Sequence, residues 1–568
     1  MNLNEGQIKS IEIIKKFINL EIDQNDKVEQ NDEVEQTNQT NLLLLGPGGS
    51  GKTTVIVNAF NDKPEMKIAF CAFTNKATQV LYNISNKFNI KFHADFLTIH
   101  KLLMLEPKIN NKEVLEFDFN VKKLDDVRDY DIIIFDECST INKELYGYIQ
   151  KLYEHIDNEF KVKLKFIFIG DFWQLPPVSE LNSIVFQKAV EEKWIITKLN
   201  QVMRSNNDHM SNINSNLLSL VTDIKSNNVN LVNKFRTEYP YNILKEYKNK
   251  IYNNYEDLID NYIEKIKYEE SSVILTYTNA NCQKINYMIQ DKIDLENNRE
   301  INDRETIWFY TNDRCCLDKP INVVEIKECN FDLNLKTNIF SNLDLNLNTN
   351  NFTTNNTNKL INSLDSSLEN ENKLDSSLDN NLENENKLDS KLDNNLKNNK
   401  DKIYKLNGDT ITTIYNGEIF IVLNAETVNI QTEINKYLDK KPYFKGQLLH
   451  IKKLGLIENI YKILYIPDNY IKEAKTYIYN KKKWLYRKLF REFNKFYPKI
   501  NYGYCITLYK SQGSEWNTVY INLNSIYYSV LSNKDININL KEKTKLLFKS
   551  SYTAMSRASN NLYILWMN

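Results

Sequence analysis

The sequence predicts an α/β protein with two parallel sheets, and three observations predict it. An apolar run meets a glycine-rich loop and then a helical pattern at Leu42–Thr54, LLLLGPGGSGKTT. From there to Ile169, short apolar strands alternate with amphipathic helices, the pattern of a parallel sheet covered on both faces. A second alternation opens at Ser272–Tyr277, breaks off, and resumes at Tyr504–Leu508, Val519–Leu523 and Leu562–Leu565. The second sheet therefore gathers segments far apart in the chain.

Composition narrows the class. The 568 residues suffice for roughly two to four domains with proper cores. Lys+Arg 73 against Asp+Glu 74 leaves a net charge of -1, so any nucleic-acid binding must rest on a local groove and not on a global basic field. The 7 cysteines form no C-x-x-C pair and there are only 5 histidines, which supports neither a disulfide framework nor a zinc module and fits a reducing compartment. No apolar run reaches membrane-spanning length. A soluble, intracellular and monomeric chain without membrane contact is expected, its compartment left open.

In chain order, residues 2–20 read as one amphipathic helix, with Ile8, Ile11, Ile14 and Phe17 at helical spacing. Residues 24–40 are polar and repetitive and read as a solvated loop. Strand 42–45, helix 53–60, strand Ile68–Phe73, a helix carrying Ala77, Val80, Leu81, Ile84 and Phe88, and strands Asp131–Phe135 and Phe166–Ile169 make a first domain over 1–200. A second domain takes 201–330 and 501–568. Residues 331–401 are low in complexity, with NKLINSLDSSLENE, NKLDSSLDNNLENE and NKLDSKLDNNLKNN in tandem. Leucines four apart would suit a short oligomerising helix, but repeats without aromatics and rich in Asn favour a disordered expansion. Over 402–500, strand-like runs at Thr410–Tyr415, Glu418–Leu423 and Gln447–Ile451 suggest a small β-barrel. Then Lys481, Lys482, Lys483, Arg487, Lys488 and Arg491 interleave with Trp484, Tyr486, Phe490, Phe493 and Phe496. Such a segment either contacts phosphates and bases or is a helix whose aromatics pack inward.

The residues that carry chemistry begin in the loop. Gly46, Gly48, Gly49 and Gly51 let the backbone turn successive N–H groups inward, and the following helix adds its positive end. In this G-x-x-x-x-G-K-[ST] pattern Lys52 reaches the terminal phosphates and the Thr53 hydroxyl holds Mg²⁺. The loop alone leaves kinase, GTPase and motor open. The run DIIIFDECST ends a buried strand in adjacent acids, Asp136 for a metal ion and Glu137 to orient and deprotonate a water. In FIGDFWQLPPV, Gln174 follows another core strand, where an amide can touch the γ-phosphate, and Pro176 and Pro177 stiffen the segment. Trp173 reads as core packing.

Taken together, these motifs resemble superfamily 1 helicases of the RecD/Dda branch. GDFWQLPPV resembles motif III, TLYKSQGSEWNTV (507–519) motif V and YTAMSRASNNLYIL (552–565) motif VI. LNQVMRSN (199–206) is similar to the motif IV region, and SVILTYTNANCQKIN (272–286) to the first strand and helix of a second motor domain. LNEGQ (3–7) resembles the Gln motif, AFTNKAT (72–78) motif Ia and LTIHKLL (97–103) motif Ib. The resemblance spans the chain except its low-complexity stretches. It implies two RecA-like P-loop NTPase domains with ATP between them and an inserted SH3-like β-barrel. It implies that Gln7 reads adenine, and that Gly46, Pro47, Gly48, Gly49, Ser50, Gly51, Lys52, Thr53 and Thr54 bind ATP together with Gly513 and Glu515. Thr53 and Asp136 would hold Mg²⁺, Glu137 would be the base, Gln174 the γ-phosphate sensor, and Arg204 and Arg557 the arginine fingers. Thr74, Thr98, His100, Thr507 and Lys510 would contact DNA. Phe73 stands where the family usually has Pro, and Tyr509 where it usually has His; Tyr509 could stack on a base.

The expectation is an ATP-dependent DNA helicase or translocase moving 5′-to-3′ along single-stranded DNA, acting at duplex junctions with replication or repair proteins. An RNA helicase or a non-unwinding translocase of the same fold is the nearest alternative. A non-hydrolysing, ATP-gated DNA-binding scaffold is an alternative of another class.

Overall fold

The computed structural model describes residues 3–20, 38–88, 90–109, 115–201, 251–269, 271–299, 306–318, 321–329, 403–414, 418–438, 443–454, 460–481, 483–532 and 539–567. The low-complexity stretch at 331–401, the polar run up to residue 37 and Arg204 lie outside the described residues.

Strands β1 (Asn38–Leu45), β2 (Lys67–Ala72), β3 (His93–Thr98), β4 (Ile132–Phe135), β5 (Lys165–Gly170) and β6 (Trp194–Lys198) form one sheet in the order β3-β2-β4-β5-β1-β6. Every neighbouring pair is parallel. The strand period of two sends alternate residues to two cores. Leu42, Phe70, Ile134 and Ile167 pack under helices α1 (Glu5–Asn19), α2 (Lys52–Phe60) and α3 (Asn75–Lys87). Leu43, Cys71, Phe135 and Phe168 pack on the other face against the helix Lys143–Phe160. Helix α1 starts at Glu5 because Asn4 and Gln7 form a reciprocal capping box. β1 starts at Asn38, inside the stretch expected to be loop through Thr40, because Asn38 pairs with Trp194 across a register shift.

The second sheet runs Cys505–Thr507, Ser272–Thr276, Trp516–Asn522, Ala558–Leu565, Ile251–Tyr252, again with all pairs parallel. It does join segments from both ends of the chain's second half. A third sheet, largely antiparallel, joins Arg314–Leu317, Ile321–Cys329, Ile403–Ile414, Ile419–Ile430, Phe444–Lys453, Ile460–Tyr465 and Ile500–Tyr502. Here the domain boundaries drawn from sequence shift: residues 314–329, assigned to the second domain, pair within this sheet instead. The strand RCCL is buried along its whole length like those of the parallel sheets, and so short a run does not tell one kind of sheet from the other.

The third sheet is fused to the second domain by a shared core. Phe420, Leu449 and Ile451 lie in one cluster with Ile274, Tyr520 and Leu565. Buried Arg314 donates to the Tyr262 hydroxyl (3.3 Å) and to the Ser272 carbonyl. At Gly503 a Cβ would meet the Cys315 backbone at 2.8 Å, so only glycine lets these strands approach. The sheet's other face packs on helices Asp468–Lys481 and Lys483–Phe496, where Phe490 and Phe493 are buried. For those two aromatics the inward-packing reading of the basic segment holds.

Phe168, 1% exposed, stacks on Phe135 (5.0 Å) and Trp194 (4.9 Å). Phe168→Ala should cost about 3–5 kcal/mol of first-domain stability, read as a lower midpoint in chemical denaturation followed by circular dichroism.

Candidate active site

The phosphate loop sits between β1 and α2 and is shaped by backbone constraints. Gly49 and Gly51 are left-handed at φ 78 and 82, a region that only glycine enters at no steric cost. Lys52 Nζ donates to the carbonyls of Gly46 (2.9 Å) and Pro47 (3.1 Å), bridging the loop. Gln7 braces it from α1: its Oε1 accepts from Asn4 N–H (3.0 Å) and its Nε2 donates to the Ser50 carbonyl (3.1 Å). A Cβ on Gly51 would lie 2.5 Å from that Nε2. The residue expected to read adenine is therefore also a clasp on the loop.

The paired acids follow β4. Asp136 N–H donates to the Cys71 carbonyl (2.8 Å), which fixes the end of the strand beside β2. Glu137 is held at φ 51, ψ 43, a left-handed conformation that a non-glycine residue adopts at some strain. Burial, with the adjacent Glu137 charge, raises the Asp136 pKa to about 7, while Lys52 opposes the rise. Nearby, Gln174 is 2% exposed on the loop after β5.

Lys52, Thr53, Asp136, Glu137 and Gln174 line one cavity of about 380 Å³, and Gly513 and Arg557 line it from the second domain. That volume falls within the ~300–1,000 Å³ of small-molecule sites. Gln7, Gly48, Gly49, Gly51 and Thr54 complete its polar wall, and Leu3, Ala77, Val80 and Ile84 give it an apolar flank. Arg557, 3% exposed, is anchored by donating to the carbonyls of Thr553 (3.2 Å) and Ser514 (3.3 Å) and to Ser556 Oγ (3.1 Å). Glu515, in contrast, is exposed and does not line the cavity.

Three buried polar atoms of this region, Ser50 Oγ, Glu137 Oε2 and Gln174 Oε1, have no hydrogen-bond partner within the protein. Orphaned acceptors beside an ammonium, a guanidinium and a row of loop amides suit a phosphorylated ligand carrying a divalent cation. Among the described residues no group of three or more His, Cys, Asp or Glu could cage a metal. A cation at Thr53 and Asp136 would thus complete its oxygen shell from phosphate and water, as Mg²⁺ does.

The residues expected along a nucleic-acid track are spread over both domains. Thr74 and Thr98 cap helices, their hydroxyls accepting from Ala77 N–H (3.2 Å) and Lys101 N–H (3.1 Å). His100 packs between Phe73 (5.5 Å) and Phe117 (5.1 Å), and burial lowers its pKa. Phe73 is 39% exposed, so it offers part of its ring to solvent. Thr507 is buried, and Lys510 pairs with Asp318 at 3.1 Å. Tyr509 packs edge-on to Tyr277 (6.2 Å) against the second domain's core instead of standing free to stack on a base.

Sequence reasoning missed a polar seam between the domains. Tyr552 Oη donates to Asp171 Oδ2 (2.8 Å), and Gly48 N–H reaches the same carboxylate oxygen (3.1 Å). Leu175 N–H donates to Thr553 Oγ1 (2.9 Å), and Lys549 Nζ donates to Asn182 Oδ1 (2.9 Å) while lying over the Phe172 ring. Burial lowers the Lys549 pKa to about 8. Leu175 and Trp173 pack into the second domain's core, so Trp173 is a packing residue, but across the interface. The signal was present in the spacing of Lys549, Tyr552 and Thr553, polar residues three and four apart in the buried half of the helix Leu540–Met555.

Known proteins are similar to the chain over part or all of its length. Residues 30–180 match the model of an AAA domain. The uncharacterized protein R530 of Acanthamoeba polyphaga mimivirus is 26% identical over 561 residues, covering 91% of this chain and 94% of the relative. Among solved structures, the chain is similar to the Pif1 helicase from Candida albicans, with 13% identity, a TM-score of 0.41 and coverage of 100% of this chain and 95% of that one. It is also similar to the Pif1 helicase from Bacteroides in complex with ADP-AlF3 and ssDNA, with 14% identity, a TM-score of 0.40 and coverage of 100% and 94%.

Gly51→Ala is the sharpest test of the cavity wall. It places a side chain at positive φ and against Gln7, and should weaken binding of a fluorescent adenine nucleotide by about tenfold or more in an equilibrium titration.

Proposed function

We propose that the protein is an ATP-dependent DNA helicase or translocase of superfamily 1. The observation that carries this is the two-sided cavity: the phosphate loop, the paired acids and Gln174 come from one sheet, and Arg557 from the other. The match of residues 30–180 to an AAA domain supports nucleotide use, and the ordered motifs from LNEGQ to YTAMSRA support the helicase class.

In this reading the loop amides and Lys52 hold the β- and γ-phosphates of ATP, and Gln7 positions the loop beside the adenine. Mg²⁺, held by Thr53 and Asp136, would neutralise phosphate charge when bound. Glu137 orients a water for in-line attack on the γ-phosphorus and accepts its proton on the orphaned Oε2 side of its carboxylate. Gln174 and Arg557 contact the γ-phosphate from opposite sides of the cleft, with Arg204 as a second finger. Their hydrogen bonds strengthen as charge spreads over the transferring oxygens. Because Arg557 belongs to the second domain, its engagement requires closure, and loss of the γ-phosphate removes the reason to stay closed. Alternating closure moves the chain along a single strand gripped by both domains. The 5′-to-3′ direction follows from the RecD/Dda-like wording of motifs III, V and VI.

Two measurements test it. ATP hydrolysis should rise severalfold with single-stranded DNA and vanish in Lys52→Ala, and Arg557→Ala should lower kcat by about 10³-fold or more while diphosphate binding persists. No hydrolysis by the unsubstituted protein would return it to the ATP-gated scaffold class. Strand displacement on duplexes tailed at either end, in DNA and RNA versions, should occur from the 5′-tailed DNA. Displacement only from a 3′ tail would refute the branch, and displacement only of RNA would refute the substrate.

A further inference from the structure

Lys510 is expected along the nucleic-acid track, yet its ammonium already has a partner. Its Nζ donates to Asp318 Oδ1 at 3.1 Å. The two side chains come from different sheets. Lys510 lies in the turn Leu508–Ser511, which follows the strand Cys505–Thr507 of the second sheet. Asp318 follows the strand Arg314–Leu317 of the third.

The carboxylate is the fixed member of the pair. Its Oδ2 accepts from Asn501 Nδ2 (2.6 Å) on the neighbouring strand, and its backbone N–H donates to the Lys499 carbonyl (3.1 Å). Lys499 itself spends its ammonium on Asp468 at 3.4 Å. The Lys510 and Asp318 side chains are 32% and 26% exposed. That is shielded enough for their attraction to survive salt, and open enough for a phosphate to approach.

Single-stranded DNA is held largely by exchanging its counterions for lysine and arginine. A lysine that already faces a carboxylate has little charge left to exchange, and the carboxylate itself repels phosphate. With a net charge of -1, the chain has no general positive field to make up the difference.

We propose that Asp318 is a positioning residue that limits the second domain's hold on a single strand: it keeps the Lys510 ammonium at the third sheet and withholds it from the phosphates. The third sheet thereby tunes a contact that the motor domain carries. A motor advancing along a strand must release each phosphate it holds, and a restrained lysine keeps that hold light. The proposal rests on the reading that the protein binds single-stranded DNA.

The test is equilibrium binding of the full chain, without nucleotide, to a fluorescently labelled oligothymidylate across a salt series. Asp318→Asn keeps an oxygen for Asn501 and removes the charge. It should lower Kd about fivefold or more near about 0.1 M salt. It should also steepen the fall of log K with log salt by about 0.7, the mark of one further phosphate neutralised on a single strand. Lys510→Met alone should leave Kd within about threefold, because the paired ammonium adds little. Adding Asp318→Asn to Lys510→Met should change Kd by about twofold or less and leave the slope as it was. An unchanged Kd and slope in Asp318→Asn would overturn the proposal. Weaker binding would overturn it as well, since Asp318 would then present the lysine to DNA. So would an equal gain in the Lys510→Met background, which would mean that the carboxylate acts by repulsion alone. If Asp318→Asn proves unstable, Lys510→Met decides: a loss beyond about threefold would show a lysine that the carboxylate does not withhold. No measurable DNA binding by the unsubstituted protein would instead overturn the DNA-binding reading.

Discussion

One wall of the phosphate cavity is supplied by a different sheet from the one that carries the loop, and the rest of the molecule is arranged around that division. Arg557 reaches the cavity only because Ala558–Leu565 is a central strand of the second sheet and because the helix before it is buried on nearly all sides. The seam is polar where it meets the loop and apolar where Leu175 and Trp173 enter the second core. An apolar seam alone would hold the domains together in one position. A wholly hydrated polar one would not hold them. The mixture allows a contact that can be remade, with each hydrogen bond contributing about 0.5–1.5 kcal/mol net.

The same division explains the electrostatics. Asp136, Glu137 and Asp171 bring three carboxyl groups close to a single ammonium, Lys52, and burial raises the pKa values of both Asp136 and Asp171. Lys52 meanwhile spends its hydrogen bonds on loop carbonyls. Such a site favours a cation, and would take up phosphate only together with one, since phosphate alone would worsen the existing excess of negative charge.

Much of the first domain was legible in the sequence, because its strands are short, apolar and separated by amphipathic helices, and because the loop and the acids at 136–137 sit at strand ends. Gln174, Gly513 and Arg557 were placed by motif order and do meet in one cavity. Glu515, expected beside them from the same motif, lies exposed and outside that cavity's lining. Gln7's clasp on the loop and the assignment of 314–329 to the third sheet were not legible either. Both depend on pairings between distant residues, Gln7 with Ser50 and Arg314 with Ile421, that no local pattern encodes. The Asp171–Tyr552 contact, 381 positions apart, belongs to the same class.

The third sheet also bears on how the chain can vary in length. Cys329 and Ile403 are cross-strand partners, so the chain departs from and returns to adjacent points of a completed ladder. The entropy of closing such a loop grows only logarithmically with its length, each doubling adding about 0.6 kcal/mol. A change in the number of residues between those two partners therefore adds little to the cost of holding their register. That ladder is a port for growth: foreign sequence grafted between its two paired ends enters at residues that take no part in the cavity's lining.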